Sequence, residues 1–162
     1  MKNIFIIIAI ILFASCNTKT PTNFSEKALN DSLIALDGTK LSFQEILDKY
    51  KGKKILIDIW ASWCGDCIRG LPKVEKLQKN NSEVVYLFLS LDKTVDEWKK
   101  GIQKYRINGE HFFIKSGYEG DFGSFIDIDW IPRYMAINEQ GNIALFKSIK
   151  ADNAKITEFL KK

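Results

Sequence analysis

Cys64 and Cys67 are the side chains of this sequence best suited to covalent chemistry. A bridge across two intervening residues closes a very small loop, so it removes little entropy from the unfolded chain. A secreted chain stabilised by disulfides would carry more cysteines at wider spacings, whereas the only other cysteine here is Cys16. The pair therefore points to dithiol–disulfide exchange, in which one thiolate attacks a disulfide and the second thiol resolves the mixed disulfide. The apolar run Ile55 to Trp60 predicts a buried strand, and the pattern from Gly65 to Asn80 predicts a helix. Cys64 then sits at a helix N-terminus, where free N–H groups favour an anion and lower the thiol pKa below its free value of about 8.5. Cys67, one turn deeper, is the shielded resolver. Asp58 interrupts the apolar strand. A buried carboxylate holds its proton more tightly than an exposed one, which suits proton exchange near neutral pH.

The flanking elements must hold these residues in place. Leu33 to Leu36 and Lys40 to Ser42, joined by Asp37-Gly38-Thr39, read as a small hairpin. Ser42 and Glu45 form a capping box that opens a helix to about Tyr50. Ile68, Leu71, Val74 and Leu77 mark the buried face of the helix after Cys64, and Val84 to Leu91 is a second buried strand. Strand, helix and strand at this spacing make a right-handed unit with parallel strands. Thr94 to Arg106 reads as a helix and His111 to Ile114 as a short strand. Residues 115–130 read as loop with one short helix. Tyr134 to Ile137 and Ile143 to Phe146 form a hairpin around Asn138-Glu139-Gln140-Gly141, and Asp152 to Leu160 closes the chain as a helix. The expected class is α/β, with a central mixed sheet flanked by helices on both faces.

The N-terminus differs from the rest. Lys2 precedes an unbroken apolar run from Ile4 to Phe13, followed by Ala14-Ser15-Cys16. About ten residues at ~1.5 Å each cannot cross a hydrocarbon core of about 30 Å, so the segment reads as a signal sequence. Small residues ending at a cysteine resemble a bacterial lipobox, which implies a lipid anchor on Cys16. Residues 1–16 are thus a signal peptide, 17–28 a polar tether and 29–162 the folded domain. The net charge of +4 comes from scattered lysines and gives no nucleic-acid footprint. Lys49, Lys51, Lys53 and Lys54 read as a solvated turn. His111, the single histidine, reads as structural, because zinc usually takes four ligands and only one Cys pair exists.

The segment Ile55 to Cys67 resembles thioredoxin, and more particularly the membrane-anchored TlpA/ResA-like branch of that superfamily. Trp63, Cys64 and Cys67 match its Trp-Cys-x-x-Cys motif, Asp58 its buried acid beneath the second cysteine, Pro72 its helix proline and Ile131-Pro132 its cis-proline. Taken alone, Pro132 reads as a trans proline at a strand start; the resemblance implies the cis form. It also implies a thioredoxin-like fold with an N-terminal hairpin and a central insertion. No cofactor beyond a Cys64–Cys67 disulfide is implied. Trp63, Ile131 and Pro132 would bind substrate, while Gly65 and Asp66 would tune the redox couple. Asp66 stands where thioredoxin has proline, and its charge opposes a Cys64 thiolate. The implied partners are disulfide-containing extracytoplasmic clients, apocytochrome c among those of relatives, and a membrane thiol protein that donates electrons. Competing readings are an oxidase or isomerase of the same fold, a peroxidase, and a non-catalytic client-binding module.

Overall fold

The computed structural model describes residues 20–161; the expected signal sequence and Cys16 lie outside the described residues. The elements run α1 (Glu26–Asn30), β1 (Ser32–Ala35), β2 (Lys40–Ser42), α2 (Phe43–Lys49), β3 (Ile55–Trp60), α3 (Gly65–Asn80) and β4 (Val85–Ser90). They continue with α4 (Val95–Tyr105), β5 (Glu110–Ile114), α5 (Asp121–Phe125), β6 (Arg133–Ile137), β7 (Ile143–Ser148) and α6 (Ala154–Lys161). One seven-stranded sheet has the order β2-β1-β5-β4-β3-β6-β7. Strands β3, β4 and β5 are parallel neighbours, and all other pairings are antiparallel. This is the thioredoxin-like α/β fold that the motif implied, with α4 and β5 inserted between β4 and the proline-bearing loop.

Strand β3 is central, and all six of its residues are buried. Because strand side chains alternate, Leu56, Asp58 and Trp60 share one face. Helices α3 and α4 cover that face. A Cβ on Gly70 of α3 would lie 3.0 Å from the Tyr134 hydroxyl, opposite Asp58 in the β3–β6 register. A Cβ on Gly101 of α4 would lie 3.3 Å from the Trp60 ring. The predicted face of α3 packs on the core: Val74 is fully buried, and Ile68, Leu71 and Leu77 are half-buried against it. Both helices that follow β-structure with Ser or Thr are closed by capping boxes, Ser42 with Glu45 and Thr94 with Glu97.

The segment read as a tether is docked where it is described. Phe24 packs edge-on against Phe43 at 4.9 Å and stacks near Phe122 at 6.3 Å. The Thr22 carbonyl accepts a hydrogen bond from the Ile143 N–H at 2.7 Å, and α1 begins at Glu26 behind the Ser25 cap. A lone aromatic in a polar stretch carries no periodicity, so its burial was invisible in the sequence. Each aromatic pair is worth about 0.5–1.5 kcal/mol beyond its buried area.

Candidate active site

The chain leaves β3 at Trp60, turns through Ala61 to Trp63 and enters α3. The Cys64 N–H donates to the Ala61 carbonyl at 3.0 Å, which closes the turn. Cys64 is the N-cap of α3, and its sulfur accepts the Cys67 N–H at 3.1 Å. An anion at this sulfur would therefore meet a backbone donor and the positive end of a 16-residue helix. Cys64 and Cys67 form a disulfide with Cα atoms 5.3 Å apart. Both are buried, but only Cys64 lines a surface cleft of about 270 Å³, together with Trp63, Gly65, Asp66, Tyr118, Asp129, Trp130 and Ile131. Trp63 and Trp130 are more than half exposed.

The Ile131–Pro132 peptide is cis. It brings the Ile131 carbonyl to 3.6 Å from the Cys64 sulfur. The β3–β6 pairing ends at Arg133, so Ile131 has no backbone partner among the described residues. The Cys64 sulfur and the Ile131 backbone thus share one cleft.

Asp58 is buried between β4 and β6, and burial pushes its carboxyl pKa up to about 8. The Tyr134 hydroxyl, across the strand pair, pulls partly the other way. It does so without a hydrogen bond of normal geometry: Asp58 Oδ1 and the Tyr134 hydroxyl both lack a partner among the described residues. Asp66 shares the cleft with Cys64, and its charge is partly offset by an ion pair with Arg69 one turn on. Arg69 also lies against Gly65, 3.4 Å from where a Cβ would stand. His111 is buried on β5, stacked on Phe88 at 5.2 Å, with Nε2 3.0 Å from the Ile107 carbonyl. No cluster of His, Cys, Asp and Glu among the described residues could hold a metal ion.

Three supporting residues were not found in the sequence. Buried Asp92 accepts hydrogen bonds from the Ser62 N–H at 2.9 Å, the Ser62 hydroxyl at 2.6 Å and the Ser90 hydroxyl at 2.8 Å, pinning the turn before Trp63. Arg133 is fully buried directly after Pro132. It donates to the Ile126 carbonyl at 3.0 Å and pairs with Asp129, fixing the loop that carries Trp130 and Ile131. The charged position beside a proline was the available signal. Gly101 lets α4 press on the same turn, because a Cβ there would lie 2.5 Å from Ser62 Cβ. Gly101→Ala is expected to lower stability by about 1–3 kcal/mol despite the better helix propensity of Ala. Urea unfolding checks this, and an unchanged midpoint would mean the turn yields freely.

Residues 16–156 match the Redoxin family. The chain belongs to that family. This redoxin is 32% identical to the thioredoxin-like protein YneN of Bacillus subtilis over 122 residues, 73% of this chain and 67% of YneN. It is 23% identical to the thiol–disulfide oxidoreductase ResA of Bacillus cereus over 141 residues, 85% of this chain and 76% of ResA. The thioredoxin domain of a thiol–disulfide oxidoreductase from Bacteroides vulgatus superimposes with a TM-score of 0.68 at 19% identity, covering 86% of this chain and 97% of that one. The redoxin is a TlpA/ResA-like thiol–disulfide oxidoreductase of the thioredoxin superfamily, with Cys64–Cys67 as its redox disulfide.

Proposed function

We propose that this redoxin reduces disulfides of extracytoplasmic client proteins, held at a membrane through lipid on Cys16. The observation that carries the reading is the asymmetry of the pair: Cys64 opens on a cleft rimmed by aromatics and the Ile131 backbone, while Cys67 lies behind it. The Cys64 thiolate attacks a client disulfide, forming a mixed disulfide and releasing one client thiolate. Cys67 then loses its proton to the Asp58 carboxylate, directly or through water, and attacks the Cys64 sulfur. The client leaves as a dithiol, having gained two electrons and two protons, and the redoxin is left oxidised. Two thiols of a membrane donor protein return it to the reduced state. Trp63, Ile131 and Pro132 hold the client; Gly65 and Asp66, with Arg69, set the potential. The acidic Asp66 disfavours a thiolate, as Asp58 does once it ionises near pH 8, and both so favour a reducing couple. The exposed Asp66–Arg69 pair offsets part of that charge, and the α3 N-terminus with the Cys67 N–H stabilises the Cys64 thiolate; both favour the opposite reading of a disulfide oxidase.

Among the described residues no helix is long and apolar enough to cross a membrane, and the anchor is assigned to the lipobox-like Ala14-Ser15-Cys16. Two measurements test the proposal. Insulin mixed with dithiothreitol should precipitate faster with the redoxin than without it; a client-binding module would leave the rate at background. Mass spectrometry of the mature protein should find a diacylated Cys16 at the N-terminus, and an unmodified Cys16 removes the anchor.

A further inference from the structure

The groove around the disulfide has two ends of opposite charge. On one side is the Cys64 cleft, whose charged lining residues are Asp66 and Asp129 and whose exposed aromatics are Trp63, Tyr118 and Trp130. Both carboxylates are exposed and already hold a cation, Asp66 that of Arg69 and Asp129 those of Arg133 and Lys147. On the other side of Trp130 lies a second cleft of about 370 Å³, lined by Arg69, Lys73, Pro132, Ile149 and Lys150. Arg69 and Lys73 have exposed partners, Asp66 and Asp152 at 2.7 Å for the latter. Lys150 forms no ion pair among the described residues. Trp130 and Asp66 line both clefts, so the two run into one another beside the sulfur.

We infer that the groove selects extended client segments whose reactive cysteine is flanked by a cation on one side and a carboxylate on the other. This rests on the client-reducing reading of the same site and names its substrate class. The cation enters the Cys64 cleft, where the faces of Trp63 and Trp130 attract it and the exposed carboxylates of Asp66 and Asp129, each shared with a resident cation, add a further contact. The carboxylate lies over Arg69, Lys73 and Lys150. Trp130, between the clefts, covers the segment next to the client cysteine. Opposite charges at the two ends also fix the direction in which a client lies, since the reversed segment meets like charge at both ends.

The test uses the full chain and four synthetic peptides that carry the same internal disulfide. Their flanking residues are Glu before and Lys after the reactive cysteine, the reverse, Lys on both sides, and Glu on both sides. One of the two mixed peptides should exceed the other three in kcat/KM by about tenfold at low ionic strength, as two exposed charge pairs allow. Salt at about 0.5 M should remove most of that advantage. Lys150→Glu should narrow the gap between the best peptide and the Lys-flanked one. If a like-charged peptide is reduced as fast as the better mixed one, or the ranking ignores salt, the inference is overturned while client reduction stands. If no peptide is reduced and insulin is also untouched, both fall together.

Discussion

Replacing Cys67 with Ala is expected to leave Cys64 joined to client proteins as stable mixed disulfides, whereas Cys64→Ala should yield no adducts. In both variants insulin reduction should fall to background, a loss of at least ~10³-fold, as for other groups that act as a unit. The reasons are geometric. Cys64 caps α3, takes the Cys67 N–H at 3.1 Å and lines the cleft, while Cys67 does not line it. Alkylation of the reduced protein near neutral pH should therefore modify Cys64 at least about tenfold faster, since the thiolate is the reactive form and only Cys64 lines the cleft. Adducts on the Cys64→Ala protein, or faster labelling of Cys67, would reverse the two roles.

Asp58→Asn should have the second largest effect, and in two directions. Resolution of mixed disulfides should slow by about 10²-fold near pH 8, the usual size of a general acid–base contribution. In the wild type the rate should climb as the pH rises through about 8, because that is where the buried carboxyl ionises; the variant should lack this limb. Stability moves oppositely. The folded pKa lies above the unfolded value of 3.8, so the folded state keeps a proton that the unfolded state releases. That contribution is fully present below about pH 4 and is lost as the pH rises to about 8. Asn bears no charge, so the variant should gain on the wild type across that window. The distance from 3.8 to about 8 caps the gain at roughly 6 kcal/mol. Urea unfolding at pH 4.5 and 8.5 checks the sign. A wild type as stable at pH 8.5 as the variant would mean that the carboxylate has a partner.

Most of the site was legible because it is written in local patterns. The apolar run of β3, the glycine after Cys64 and the periodicity of α3 place a strand, a turn and a helix N-terminus within a dozen residues. Asp58 stood out as the single charge in that run. The cis form of Ile131–Pro132 was implied by the Trp63-Cys64-Gly65-Asp66-Cys67 motif and not by the proline itself, whose own environment suits a trans bond. What was not legible depends on contacts between distant segments. Asp92 reaches Ser62 across thirty positions, and Gly101 matters only because α4 folds back on the same turn. Asp66 looked like a lone repulsive charge, yet its i+3 neighbour Arg69 was there to be read. Phe24 was lost among polar residues because burial of one aromatic leaves no period.

The equilibrium potential of the Cys64–Cys67 couple bears most directly on whether this redoxin is a reductant. Equilibration against glutathione or dithiothreitol, read by thiol labelling, measures it. For a two-electron couple about 30 mV corresponds to ~1.4 kcal/mol, so a tenfold change in thiolate stability is visible. Asp66→Pro should make the couple less reducing, since it removes a negative charge and frees Arg69. For the native protein the account predicts a value near that of thioredoxin, about −270 mV. A value above about −180 mV, in the range of disulfide isomerases, would contradict it and make the protein an oxidant or isomerase of its clients.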